Sequence, residues 1–225
     1  MDIAAYWDDY AQAYDREPDH GLGDPATRAA WRELLRSCLP GGPADVVDLA
    51  CGTGSLTALA AELGHRVTGV DIAQQMLRRA RAKTAGMPVR LVRGEVADPR
   101  GLPMAGFDVV LARHILWTLP DPHAALRRWA GLLRPGGSFV LVEGRWSSVG
   151  DDGYPGKGRL PWAGGVRATD LTAAVLPLVD PGTVQVWQLD QAVLWGRPVG
   201  DERYLLLARV PAAPVGLAAP GHAEN

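Results

Sequence analysis

Cysteine is nearly absent, with 2 in 225 residues. Cys38 and Cys51 stand far apart and in no metal-ligand spacing. That excludes a disulfide framework and fits reduced, buried thiols in a cytoplasmic protein. Histidine is sparse: His20, His65, His123 and His222 are scattered and read as solvated, and no metal site can be assembled at standard spacing, so none is expected. Lysine occurs only at Lys83 and Lys157, and the formal net charge is -2. Such a balance gives no electrostatic reason to expect a nucleic-acid partner. No apolar run approaches the roughly 20 residues of a membrane helix, so no membrane partner is expected. The first residues, MDIAAYWDDY, are acidic and aromatic rather than basic and then apolar, so no signal peptide is expected.

What remains is an ordinary globular composition, long enough for one domain with a single core. Arginine greatly outnumbers lysine, and Ala, Gly and Pro are abundant, as in products of GC-rich genomes. Residues 2–15 predict a helix whose apolar face carries Ile3, Tyr6, Trp7, Tyr10 and Tyr14 at three- and four-residue spacing. Asp24-Pro25 predicts the start of a second helix over 25–38. Strands and helices then alternate: strands at 44–50, 65–71, 87–94, 106–113 and 138–144, helices at 55–64 and 72–86, and a helix over 121–137 ending in Pro-Gly-Gly. Apolar strands alternating with helices predict parallel βαβ units in an open, doubly wound sheet.

After residue 144 the rhythm breaks. Residues 144–165 carry seven glycines, together with Trp146, Tyr154 and Trp162. A stretch of that length without periodicity is functional or disordered. A helix at 168–177 and strands at 183–189 and 202–210 follow, and 211–225 reads as a loose tail.

The informative stretch is DLACGTGSL, Asp48 to Leu56. Gly52 and Gly54 form a tight turn after the first strand, where a doubly wound sheet binds its ligand. A dinucleotide fingerprint needs a third glycine where Thr57 stands, and a phosphate loop needs Gly-Lys-Ser/Thr, whereas Ser55 follows Gly54 directly. Asp48 ends the first strand. Asp71 ends the second, 19 residues past Gly52, where an acid meets a ribose diol. Two readings stand: strand-end caps, or a site for a ligand with an ammonium group, a ribose and no phosphate, which describes S-adenosylmethionine.

Five segments in order, VVDLACGTGSL (46–56), VTGVDIAQQML (67–77), GEVAD (94–98), FDVVLARH (107–114) and LLRPGG (132–137), resemble the class I S-adenosylmethionine-dependent methyltransferases of the UbiE-like small-molecule branch. The resemblance covers roughly residues 44–143. It implies a Rossmann-like α/β fold with a seven-stranded sheet, mostly parallel with the last strand antiparallel, under an N-terminal helical cap. One domain over 1–210 is implied: cap 1–40, cofactor core 44–143 and acceptor-side segment 144–180. It implies S-adenosylmethionine as cofactor. Gly52, Thr53 and Gly54 would pass beneath the cofactor, with Asp48 and Ala50 near its amino group. Asp71 would hold the ribose, with Ile72 and Met76 against the adenosyl group. Glu95 and Val96 stand where the family shows Gly-Asp-Ala, and Asp98 competes with Glu95 for the adenine amine. Arg113 and His114 match positions at the sulfur end.

Each candidate has a plainer reading. His114 is a base or a packed histidine; Glu143 is a second base or a partner of Arg145. The run Arg78, Arg79, Arg81, Lys83 is basic enough for RNA but reads as a solvated helix face. Trp117 and Trp129 read as core. Tyr6, Trp7, Tyr10 and Trp146 are the acceptor-binding candidates, with Trp162 beside them, and the N-terminal stripe is either a packed helix face or a lid. The expected activity is methyl transfer to O, N or C of a small-molecule acceptor, in specialised metabolism, by a monomer or homodimer. An RNA methyltransferase, a nicotinamide oxidoreductase disfavoured by Thr57, and a non-catalytic S-adenosylmethionine-binding protein are the alternatives.

Overall fold

The computed structural model describes residues 2–146 and 154–212. Three helices come first, α1 (Ile3–Tyr14), α2 (Pro18–Gly21) and α3 (Pro25–Cys38). The alternating region follows as β1 (Asp45–Leu49), α4 (Ser55–Glu62), β2 (Arg66–Asp71), α5 (Gln74–Lys83), β3 (Val89–Arg93), β4 (Phe107–Arg113), α6 (Pro122–Leu132) and β5 (Leu133–Arg145). The C-terminal part adds α7 (Ala168–Val175), β6 (Gln185–Gln188), α8 (Ala192–Trp195) and β7 (Glu202–Arg209). The seven strands form one sheet in the order β3-β2-β1-β4-β5-β7-β6. Strands β3, β2, β1, β4 and β5 are mutually parallel, and β7 runs antiparallel to both β5 and β6. Strand order reverses between β1 and β4, which puts the ligand crevice beyond their carboxyl ends.

The apolar strands read as continuous runs because both sheet faces are covered. Along β4, Val109 and Leu111 pack with Trp31 of α3 and Leu59 of α4, while Val110 and Ala112 pack with Trp129 of α6 and Leu171 of α7. The large buried side chains also satisfy their polar atoms. Trp31 Nε1 donates to the Leu194 carbonyl (2.6 Å), Trp129 Nε1 to Val96 (2.7 Å) and Trp195 Nε1 to Leu189 (2.7 Å). Asp24 caps α3 through the Thr27 amide (2.8 Å), and Asp121 caps α6 through the Ala124 amide (2.8 Å).

The sequence expectation fails at the end of α6. The helix stops at Leu132, and Arg134-Pro135-Gly136-Gly137 belongs to β5. Pro135 has no amide to donate to a helix, and Gly136 takes φ +79°, so the strand jumps register between Leu133 and Ser138 instead. Helices α2 and α8, four residues each, have no periodic signature and go unpredicted. The glycine-rich segment partly returns to the sheet: the Trp146 amide donates to Gly164 (2.9 Å), and Arg145 Nη1 to the carbonyls of Ala163 (2.8 Å) and Gly165 (2.9 Å). The middle of that segment, 147–153, and most of the predicted tail lie outside the described residues. No helix among the described residues is long and apolar enough to cross a membrane.

Candidate active site

The glycine turn is folded by its neighbours. Ala50, Gly52 and Gly54 have φ of +61°, +55° and +81°. A Cβ on Gly54 would sit 3.0 Å from the Cβ of Ala80, so bare backbone here lets α5 close against the turn. Asp71 fixes the turn from β2. Its Oδ2 accepts the Gly52 amide at 2.9 Å, and its Oδ1 the Ala73 amide at 2.8 Å. Asp48 accepts from the Thr57 hydroxyl at 2.5 Å. Both carboxylates are buried, and desolvation pushes each up to about 6 against the opposing pull of these hydrogen bonds.

Lys83 does not belong to the solvated basic face the sequence suggested. Its ammonium donates to Ser55 Oγ (2.7 Å), Thr53 Oγ1 (3.1 Å) and Asp15 Oδ1 (3.3 Å), and Thr53 Oγ1 donates to Asp15 at 2.5 Å. The end of α1 is thus tied to the glycine turn. Higher up the same helix, Asp8 accepts the Gln75 amide at the start of α5 (2.6 Å). These two ties hold α1 across the crevice.

A cavity of about 200 Å³ opens beside the turn. Eight predicted cofactor residues line it: Ala50, Gly52, Asp71, Ile72, Met76, Glu95, Val96 and Arg113. Asp48 and Thr53 line a small adjoining recess, and Gly54 lines neither, being covered by α5. Glu95 faces the cavity and accepts the Ala97 amide at 3.3 Å. Its rival Asp98 lies outside and is paired with Arg100 (2.7 Å) and Arg128 (3.7 Å). Arg113 donates to the Asp19 carbonyl (2.5 Å), with its guanidinium 4.9 Å from the Trp31 ring centroid.

A larger cavity of about 730 Å³ collects all four predicted acceptor residues, Tyr6, Trp7, Tyr10 and Trp146. The aromatic walls interlock: Tyr6 meets Trp7 edge-on at 5.1 Å, and Trp117 meets Trp146 at 6.1 Å. Trp7, Tyr14 and His114 line both cavities. Trp117, expected in the core, is in this wall, whereas Trp129 is in the core and Trp162 packs beside His123 outside the cavity. His20, expected in solvent, stacks on Tyr14 at 4.3 Å, and His65 is buried. Asp9, Glu17, Asp19, Arg197 and Arg203 also face the cavity and went unread in the sequence. Arg203 is held by Asp201 (2.9 Å) over the Trp195 ring (4.6 Å). No motif marks these residues, since the fold brings them together from distant elements.

His114 sits at φ +54° just past β4. Its ring stacks on Trp195 (5.8 Å, 11°) and meets Trp146 edge-on (5.1 Å), and its Nε2 has no hydrogen-bond partner among the described residues. Burial, then the charges of Arg113 and Arg203, lower its pKa well below the ordinary histidine value, which keeps the ring neutral. Glu143 is placed differently from the sequence expectation. It lines neither cavity, and Arg145 does not pair with it, having turned to the Ala163 and Gly165 carbonyls.

Residues 47–141 match the methyltransferase domain family. An uncharacterized methyltransferase of Mycobacterium bovis is 38% identical over 109 residues, 48% of this chain and 55% of that protein. The nocamycin O-methyltransferase of Saccharothrix syringae is 40% identical over 121 residues, 51% of this chain and 43% of that protein. The chain thus spans about half the length of the curated relatives it matches. The crystal structure of the N-methyltransferase NodS of Bradyrhizobium japonicum, in complex with S-adenosyl-L-homocysteine, superposes with a TM-score of 0.65 at 19% identity, covering 91% of this chain and 98% of that one. Residues 47–141 thus resemble the methyltransferase domain family, and the chain as a whole shares the fold of the NodS N-methyltransferase.

Proposed function

We propose that this chain transfers a methyl group from S-adenosylmethionine to O, N or C of a small, planar acceptor. One observation carries the reading. The 200 Å³ cavity beside Asp71 and the 730 Å³ aromatic cavity share a wall made by Trp7, Tyr14 and His114. A cofactor in the first would meet an acceptor in the second there.

The donor set suits the adenosyl group. Asp71 uses one lone pair of each oxygen on a backbone amide, and a carboxylate has about four such sites, leaving capacity for two ribose hydroxyls. Ile72, Met76 and Val96 supply apolar surface for a purine. Tyrosine and tryptophan faces attract a sulfonium by about 0.5–2 kcal/mol each. When bound, the cofactor supplies a methyl group already activated toward nucleophiles.

The chain's own residues then align and protect. The aromatic walls orient a flat acceptor and exclude water, and alignment supplies up to roughly 7–11 kcal/mol in ideal intramolecular systems. Neutral His114 is placed to take the proton of a hydroxyl acceptor as the methyl group transfers, and its lowered basicity puts that contribution at the low end of about 10²–10⁴-fold. Residues 1–40 would act as the cap, 44–143 as the cofactor core and 144–180 as the acceptor side, in an enzyme of specialised metabolism. A recessed aromatic cavity favours a small molecule over RNA.

Titration calorimetry with S-adenosylmethionine and S-adenosylhomocysteine tests the cofactor half. Transfer of labelled methyl to a panel of phenols, enols and aromatic amines tests the other half. Absence of heat with both cofactor forms would end the reading.

A further inference from the structure

Glu143 is a buried carboxyl with an unusual set of partners. It is 1% exposed, faces neither cavity and lies in register with Tyr204 of β7. Its Oε1 accepts two consecutive amides, Ile115 at 3.0 Å and Leu116 at 2.9 Å. Those amides directly follow His114, whose left-handed backbone is costly for any residue with a Cβ. The His114 amide itself donates to the Val142 carbonyl at 2.9 Å, the residue before Glu143. Strand β5 therefore grips three successive amides of this turn, two of them through one side-chain oxygen.

A base would need to reach the reacting atoms, and Glu143 is closed off from them. Nor, among the described residues, is it half of an ion pair. Tyr204 donates its hydroxyl to the Val166 carbonyl (3.0 Å), and Oε2 of Glu143 has no partner among the described residues. Burial pushes the carboxyl up to about 8, so it is chiefly neutral at pH 7.

We infer that Glu143 is a positioning residue: by accepting the Ile115 and Leu116 amides it fixes the left-handed turn that presents His114 to both cavities. Its importance for turnover rests on the methyl-transfer reading; the coupling of Glu143 to His114 does not.

The test is NMR of the full chain. In the wild type, the Ile115 and Leu116 amide shifts should follow ionisation of the Glu143 carboxyl, and the His114 ring nitrogens should move with the same midpoint. Glu143→Gln retains an acceptor oxygen and should leave the His114 signals in place, with S-adenosylhomocysteine affinity within about twofold of wild type. Glu143→Leu removes the acceptor and should speed hydrogen exchange at Ile115 and Leu116 by about tenfold or more while displacing the His114 signals. The inference is overturned if the Leu variant leaves both unchanged, or if Gln disturbs His114 as much as Leu. Should the Leu variant not fold, amides insensitive to Glu143 in the wild type overturn it. Wild-type protein that binds no S-adenosylhomocysteine defeats the methyl-transfer reading and leaves this coupling standing.

Discussion

The hydroxyl of Thr57 donates to Asp48 Oδ2 at 2.5 Å. Thr57 occupies the position where a dinucleotide fold carries its third glycine, and here that position holds a strand-end carboxylate in place. The departure from the phosphate-binding pattern thus has a structural use of its own. Thr57→Gly removes the donor, at about 1 kcal/mol, and replaces a weak helix former inside α4 by a weaker one, at about 0.3 kcal/mol. Thermal unfolding should show a lower Tm, with Thr57→Ser intermediate. A Gly variant as stable as wild type would remove the role assigned to this contact.

Asp71→Ala deletes the acceptor for the Gly52 and Ala73 amides as well as the proposed ribose contact. Affinity for S-adenosylhomocysteine should fall by well over tenfold, about 1.4 kcal/mol or more. Calorimetry on folded variant protein measures it, and unchanged affinity would defeat the proposed site.

His114→Ala should lower turnover more than cofactor affinity, since the proposed role is toward the acceptor's proton. Because burial and two arginines hold the wild-type ring neutral well below its ordinary value, NMR of the His114 ring nitrogens should show no protonation as pH falls through 6.5, even where protonation of Asp48 and Asp71 near 6 lowers activity. Ring protonation centred near the ordinary histidine value would contradict that environment.

Lys83→Met removes the ammonium shared by Asp15, Thr53 and Ser55. The loss should be about 1–3 kcal/mol, since the hydrogen bonds are charge-assisted and partly shielded. Tm should fall, and it should recover partly with S-adenosylhomocysteine if the glycine turn orders around it. A variant indistinguishable from wild type would return Lys83 to the solvated face.

Stability should depend on pH through Glu143. Its carboxyl rises from an ordinary 4.5 to about 8 on folding, so across that window the folded chain keeps a proton the unfolded chain has released. The contribution is intact below 4.5 and is lost as pH rises through about 8. Glu143→Gln does not titrate, and Asp48 and Asp71 are common to both proteins. The Tm of the Gln variant minus that of wild type should therefore grow between about pH 5 and pH 8. A constant difference would show that the carboxyl is not neutral in the core.

Much of this molecule is legible in its sequence where local physics governs. Apolar runs between capped helices gave the parallel sheet, because β4 must be apolar on both faces to pack against Trp31 and Trp129 at once. The glycine turn and Asp71 were legible because backbone conformation and strand-end position constrain residue type. Legibility ended where position depends on tertiary contacts. Lys83 looked like its arginine neighbours until α5 was laid against the turn, and Trp117 looked like core until the aromatic wall formed around it. Glu143 read as a base or a partner of Arg145 because it ends a strand at the right edge, and only the two amides at Oε1 give it another task. The Pro-Gly-Gly after α6 misled for a different reason: the same residues that stop a helix also make a strand bulge.

The shared wall divides the tyrosines and tryptophans of the larger cavity into two kinds. Tyr6, Tyr10, Trp117 and Trp146 face only the larger cavity, whereas Trp7 and Tyr14 face both. Under the proposed function, substitution at the first four reshapes the acceptor side and reaches the shared wall through the contacts of Tyr6 and Tyr10 with Trp7 and of Trp146 with His114. A change at Trp7, Tyr14 or His114 alters both chambers together, so on that reading drift in acceptor preference has a looser route through four positions and a constrained one through three.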